Sequence, residues 1–294
     1  MKKTISIITP CYNEEERIRD CYEAVQEIHQ EHLANYDLEH IFCDNASTDG
    51  TVDILREMAT ENPQVKLILN DRNFGPMRSH FNGVRSATGD LILIFLPADL
   101  QDPPELLPEF VKLWEQGYEI VYGVRAEREE GAGMIFVRKL YYQIMTKISY
   151  FDMPPDVGEF QLVDKKVLDV IREFDDAYPF TRAMTFECGF KQVAVPYTWK
   201  ERRKGISKNR LLSLVDQGLN GLISFSTVPM RLALASGIVI SALSILFAIV
   251  NTIAYFAMDH DIPRGNMLII TGLFFFAGVQ LFFIGFLGEY VLAI

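Results

Sequence analysis

The sequence contains no G-x-x-x-x-G-K-[ST] run, which closes the P-loop route to a nucleotide. Gly131-Ala-Gly133-Met-Ile-Phe136 lacks a third glycine and follows a charged loop, so it is not a dinucleotide fingerprint. No G-x-S-x-G elbow exists to present a hydrolase serine. Cysteine is scarce: Cys11, Cys21, Cys43 and Cys188 show no C-x-x-C spacing and are expected as free thiols of a reducing compartment. The five histidines form no H-x-x-x-H pair, and a zinc site is not expected. A basic face is also missing. The net charge is −11, and residues 1–199 alone carry −14, which argues against nucleic acid as a partner.

The rest of the chain is weakly basic, with eight positive against five negative residues from Lys200 onward. It holds two long runs without charge, Leu232 to Met258 and Asn266 to Gly288. Either exceeds the ~20 residues that cross a bilayer as a helix. The second has fourteen Leu, Ile, Val or Phe residues. On the insertion scale these are worth roughly −4 to −8 kcal/mol before polar offsets such as Gln280. Two transmembrane helices are therefore expected. Six basic residues crowd Lys200–Arg210, whereas the loop between the runs offers only Arg264. The positive-inside rule then places residues 1–231 in the cytoplasm, in a multi-pass protein of the inner (plasma) membrane. Met1-Lys2-Lys3 leads into too short an apolar stretch for a signal peptide.

Before the apolar runs, strand and helix patterns alternate four times in about 115 residues. Strands are expected at Thr4–Thr9, Glu39–Cys43, Val65–Leu69 and Leu91–Leu96. Helices should follow each, the first carrying Ile18, Tyr22, Val25 and His29 at helical spacing. This is the pattern of a doubly wound α/β sheet, whose ligands bind at the carboxyl ends of the strands. Those ends are Pro10–Glu15, Asp44–Asp49, Asn70–Gly75 and Pro97–Asp102, all polar or acidic. Residues 156–163 read as a turn entering a further strand, and Leu211–Phe225 as an amphipathic helix on a membrane surface. The expected domains are 1–210 (cytoplasmic), 211–230 (amphipathic, juxtamembrane) and 231–294 (two-helix transmembrane).

Acids gathered at strand ends repel a phosphate ligand unless a divalent cation intervenes. Asp99 and Asp102, with Gln101 between them, are hard oxygen donors that suit Mg²⁺ or Mn²⁺.

Four segments in order, Ile8-Thr-Pro-Cys-Tyr-Asn-Glu-Glu15, Asp44-Asn-Ala-Ser-Thr-Asp-Gly-Thr51, Asn73-Phe-Gly75 and Ala98-Asp-Leu-Gln-Asp-Pro-Pro-Glu105, resemble family 2 glycosyltransferases of the GT-A (Rossmann-like) fold. Asp156-Val-Gly-Glu-Phe-Gln-Leu162, Gly205-Ile-Ser-Lys208 and Ser224-Phe-Ser-Thr-Val-Pro229, followed by the two apolar runs, narrow the likeness to bacterial polyprenyl-phosphate glycosyltransferases, relatives of dolichol-phosphate mannose synthase. The resemblance implies transfer of a hexose from a nucleotide sugar to a lipid phosphate on the cytoplasmic face, with inversion. The expected pair is UDP-glucose and undecaprenyl phosphate, in O-antigen (lipopolysaccharide) glucosylation, by a homo-tetramer. It also implies roles for single residues. Pro10, Tyr12, Glu14 and Asp44 would form the nucleoside site, and Arg202, Ser207 and Lys208 would close over the diphosphate. Asp99 and Gln101 would hold the metal, Arg125 and Arg138 the acceptor phosphate. Asp99, Asp156 and Glu159 would be the catalytic carboxylates. Three positions depart from the family pattern: Pro97 where a first Asp is usual, Asn45 for a second Asp, and Gln161 for Arg.

Alternatives stay open at this stage. A carboxylate at position 44 would accept N–H groups of guanine as well as uracil, so a GDP-mannose-dependent mannosyltransferase is a rival. A processive polysaccharide synthase shares the fold, but its Gln-x-x-Arg-Trp motif is missing, since Trp114 and Trp199 both lack a preceding Arg. A non-catalytic scaffold is the third reading, favoured by Pro97.

Overall fold

The computed structural model describes residues 2–127, 154, 157–174, 179–198, 228–257 and 264–292, and these separate into two compact units. The first is built on a seven-stranded sheet. Its strands are β1 (Thr4–Cys11), β2 (Asp37–Asp44), β3 (Val65–Leu69), β4 (Leu91–Leu93), β5 (Ile120–Glu127), β6 (Val157–Asp164) and β7 (Gln192–Thr198). Its helices are α1 (Ile18–His32), α2 (Thr51–Glu61), α3 (Pro76–Ser86), α4 (Leu107–Glu115), α5 (Lys165–Glu173) and α6 (Thr181–Glu187), with one 3₁₀ turn at Pro104–Leu106.

The strand order is β3-β2-β1-β4-β6-β5-β7. β1 to β4 run parallel, as right-handed strand–helix–strand crossovers require. β6 is antiparallel to both β4 and β5, whereas β7 is parallel to β5. The sheet is therefore mixed, which corrects the expectation of a plain doubly wound sheet. β6 is buried at all positions except Glu159 and Asp164, and so on both faces, as an interior strand must be. Its reversed direction brings its first residue, Val157, opposite Val124, next to the carboxyl edge of the parallel strands.

The four expected strands are present, and β4 is shorter than expected. Beyond Leu93 the chain leaves the regular ladder but still bridges its neighbours, through Ile94 N–H to Gln161 O and Leu96 N–H to Ile8 O. The core face of α1 is Ile18, Cys21, Val25 and Ile28, so Tyr22 and His29 sit at its margin. At the centre, Phe160 of β6 packs between Phe110 of α4 and Tyr197 of β7, with ring centroids 5.0 and 5.8 Å apart. The Asp164 side chain caps α5 by accepting from Lys166 N–H at 2.9 Å, the role expected of an N-cap Asp.

The second unit is a helical pair, α7 (Val228–Ala257) and α8 (Arg264–Leu292). Small residues let the two backbones meet. A Cβ built on Gly278 would lie 2.6 Å from Ser241 N, and one on Gly237 would lie 2.3 Å from Phe282 N. The outward faces are apolar too, with Leu232, Leu273, Phe276 and Leu287 all exposed, a pattern suited to lipid rather than water. Among the described residues one segment, Met230–Val250, is long and apolar enough to cross a membrane. In α8 the apolar segment among the described residues is Gly272–Gly288, which is shorter. The expectation of two spans is thus met for α7 alone by this measure.

Candidate active site

Polar loops leave the carboxyl ends of β1, β2 and β3, and their side chains lace them together. Asn13 N–H donates to Ser47 Oγ at 2.9 Å, and Thr48 N–H donates back to Asn13 Oδ1 at 2.8 Å. Glu14 N–H reaches Thr51 Oγ1 at 2.9 Å, while Gly50 N–H reaches Glu15 Oε2 at 2.7 Å. Asn45 bridges onward to the β3 loop, donating from Nδ2 to Asn73 Oδ1 and accepting from Phe74 N–H, both at 2.9 Å. An aspartate could not make the first of these bonds, which gives the Asn45 departure a physical reason. Burial would raise the Asp49 carboxyl, but hydrogen bonds from Thr51 and Glu15 hold it below the ordinary carboxylate value.

Three non-glycine residues adopt left-handed backbone, Asn13 (φ 56°), Ala46 (φ 60°) and Leu100 (φ 53°). All three lie in loops at this one edge of the sheet. Such conformations persist where surrounding contacts over-determine them, and they gather at functional sites.

Asp44 ends β2 and is 1% exposed. Its two oxygens accept from Ser47, Oδ2 from the N–H at 2.9 Å and Oδ1 from the hydroxyl at 2.5 Å. The carboxylate thereby shapes the β2 loop, and its remaining lone pairs are what a base N–H could use. Pro10, Tyr12 and Glu14 lie beside it at the end of β1, each partly exposed. Glu14 Oε2 is held by Arg17 Nη1 at 2.9 Å.

The loop after β4 supplies Asp99, Gln101 and Asp102. A turn closed by Leu100 N–H to Pro97 O, with Asp99 Oδ1 accepting from Gln101 N–H at 3.3 Å, keeps Asp99 partly exposed at the rim. Asp102 is different: it is 1% exposed and accepts from Arg125 Nη2 at 3.1 and 3.2 Å and from the Tyr197 hydroxyl. Arg125 Nε donates to the same Tyr197 oxygen at 3.1 Å. Burial would lower the Arg125 pKa, but Asp102 and Tyr197 raise it, so the guanidinium stays charged. Asp102 is therefore not available as a metal donor, which corrects its reading as a partner of Asp99. No cage of three or more His, Cys, Asp or Glu side chains occurs among the described residues. Asp99 and Gln101 remain as a two-residue set of hard oxygens. That number fits Mg²⁺ or Mn²⁺, which typically take one or two carboxylates and complete their shell with substrate phosphates and water.

Glu159 stands partly exposed on β6, close enough to influence both His80 and Asp102. Gln161, buried on the same strand, donates from Nε2 to Gly158 O at 2.9 Å and Arg182 O at 3.2 Å, and accepts from Thr185 Oγ1 at 2.7 Å. It pins α6 to β6. Asp156, Arg138, Arg202, Ser207, Lys208 and the 211–225 amphipathic stretch lie outside the described residues. Sequence reasoning missed the Asp102–Arg125–Tyr197 cluster, because its members are scattered over nearly one hundred residues with no local motif.

Comparison with known proteins places this chain in a family. Residues 6–172, more than half of the chain, match "Glycosyl transferase family 2". The chain belongs to that family. It is 35% identical to "Uncharacterized glycosyltransferase YkcC" of Bacillus subtilis (strain 168), over 97% of this chain and 88% of the relative. It is 32% identical to "Bactoprenol glucosyl transferase" of Shigella phage SfX, over 98% and 93%. Among solved structures, glucosyl-3-phosphoglycerate synthase from Mycobacterium tuberculosis, in complex with Mn²⁺, UDP and phosphoglyceric acid, superposes with a TM-score of 0.52. That alignment has 20% identity and covers 76% of this chain and 78% of the other. The family 2 glycosyltransferase described here thus has the GT-A fold and is an enzyme, which removes the scaffold reading.

Proposed function

We propose that this family 2 enzyme transfers glucose from UDP-glucose to undecaprenyl phosphate on the cytoplasmic face of the membrane, inverting the anomeric centre. The observation that carries the reading is the 32% identity to a bactoprenol glucosyl transferase over 98% of the chain, membrane-type helices included. Both apolar helices are read as spans, and assembly as a homo-tetramer belongs to the same proposal.

The chemistry follows from the acceptor. A phosphate monoester has a second pKa of about 6 and is largely a dianion at pH 7, so its oxygen needs little help from a base. In a single displacement that oxygen forms a bond to the anomeric carbon as the bond to the donor diphosphate breaks, releasing UDP. The protein's part is positioning and charge stabilisation. Asp44 and the laced β1 and β2 loops would receive the base, with Tyr12 and Glu14 beside it. Asp99 and Gln101 would hold Mg²⁺ or Mn²⁺, which when bound neutralises charge on the leaving diphosphate. Glu159, with Asp156, would steady positive charge developing on the sugar. Arg202, Ser207 and Lys208 would cover the diphosphate, and Arg125 and Arg138 would face the acceptor.

The test is to incubate the purified full chain with undecaprenyl phosphate and labelled UDP- and GDP-sugars, then extract the lipid. Label should enter the organic phase from UDP-glucose. Label arriving only from GDP-mannose overturns the donor, and no labelled lipid from any donor overturns the acceptor.

A further inference from the structure

Arg125 sits in a built ion pair, whereas a second arginine at the same edge has no such partner. Arg182, on α6, directs Nη1 to Val157 O at 3.4 Å, and its guanidinium carbon lies 4.6 Å from the centre of the Phe180 ring. Its Nε is buried and has no hydrogen-bond partner. Among the described residues no carboxylate lies within ion-pair distance of it. A guanidinium held half-buried with an orphaned N–H is costly unless an anion meets it, and its forked donors match the oxygens of a phosphate or a carboxylate.

Its position separates it from the nucleoside end. Val157 is the first residue of β6 and lies at the site edge because that strand is reversed. Asp44 ends β2, and the order β2-β1-β4-β6 puts three strand steps between them, about 14 Å at the usual spacing. That is the far side of the donor from its base. The backbone around Arg182 is fixed from β6, since Gln161 Nε2 donates to the Arg182 carbonyl. On the same strand, Gly158 adjoins Arg125: a Cβ there would stand 3.8 Å from its Nε and Nη2, an ordinary contact.

We infer that Arg182 binds the phosphate of the lipid acceptor, supplying the positive charge that Arg125 has already committed to Asp102. The inference rests on the acceptor being a phosphate monoester, as proposed above, and can fail separately from it.

Two measurements on the full chain in detergent test it. The first is calorimetric binding of geranyl phosphate, a soluble prenyl phosphate, which does not depend on the sugar. Arg182→Gln should weaken it at least tenfold, and Arg182→Lys, which keeps charge but loses the fork, by less. The second is turnover, where Arg182→Gln should raise KM for polyprenyl phosphate while the KM for the nucleotide sugar stays within twofold. A rise confined to the nucleotide-sugar KM would assign Arg182 to the donor diphosphate and overturn the inference. Unchanged geranyl phosphate binding in a folded Arg182→Gln variant would also overturn it. Wild-type protein that binds geranyl phosphate through Arg182 yet transfers no sugar would count against the proposed reaction alone.

Discussion

His40 offers a perturbation whose size can be worked out in advance. Its ring is fully buried in β2, stacked on Phe42 at 4.0 Å, with Nε2 bonded to Thr9 Oγ1 at 2.9 Å and Nδ1 without a partner. Burial lowers its pKa from 6.5 to about 3. The folded state therefore keeps the ring neutral while the unfolded chain takes up a proton below pH 6.5. Stability from this group is fully present above pH 6.5 and is lost as the pH falls from there towards 3. Between pH 7 and pH 5 the loss is about 2 kcal/mol. A folded pKa one unit higher leaves that value unchanged, because the ring would still be neutral at pH 5. His80, also buried and lowered by desolvation, adds a loss of the same sign, so the test is a difference between proteins. His40→Gln should be less stable than wild type at pH 7, with the gap closing by about 2 kcal/mol at pH 5. The assay is urea unfolding in detergent followed by tryptophan fluorescence, since Trp114 packs in the first unit with its Nε1 bonded to Asp164. A gap that stays constant from pH 7 to pH 5 would refute the buried neutral imidazole.

Three further outcomes follow from the same geometry. Asp99→Ala should lower turnover by well over tenfold with an unchanged circular dichroism spectrum, and chelator should abolish wild-type activity; full activity of the variant in excess chelator refutes the metal role. Asp102→Asn should destabilise the first unit by about 3 kcal/mol by stranding Arg125, and adding Arg125→Gln should recover part of that in a double-mutant cycle; strict additivity would show the pair to be uncoupled. Gly278→Leu should lower the thermal midpoint in detergent, because a Cβ there meets the Ser241 backbone, whereas Gly272→Leu, with nothing within 4 Å, should not; equal effects would refute the close helix contact.

The sequence displayed the parallel half of the sheet openly. β1 to β3 are short apolar runs bounded by turn residues, and each loop announces itself with Asn, Asp, Ser or Gly. The other half was harder to read. β5 and β7 carry no turn signal as dense as Asp44–Gly50, and strand direction leaves no trace in composition, so the reversal of β6 was invisible. The site divided in the same way. Loop residues such as Asp44 and Asp99 stand in local motifs, but Asp102 looks like one more acid beside Asp99 until Arg125 and Tyr197 fold against it. Arg182 gave no signal at all, since its significance lies in what it does not touch.

The reversal of β6 has an architectural consequence. β5 departs from the sheet at Glu127 and β6 returns at Val157, and both points lie at the carboxyl edge of the parallel strands. The chain therefore leaves and re-enters the sheet at one rim. In a fully parallel sheet the returning strand would begin at the opposite rim, and the linker would have to travel the height of the sheet. Here a change in the length of the connection between β5 and β6 leaves the pairing of β1, β2 and β3 untouched.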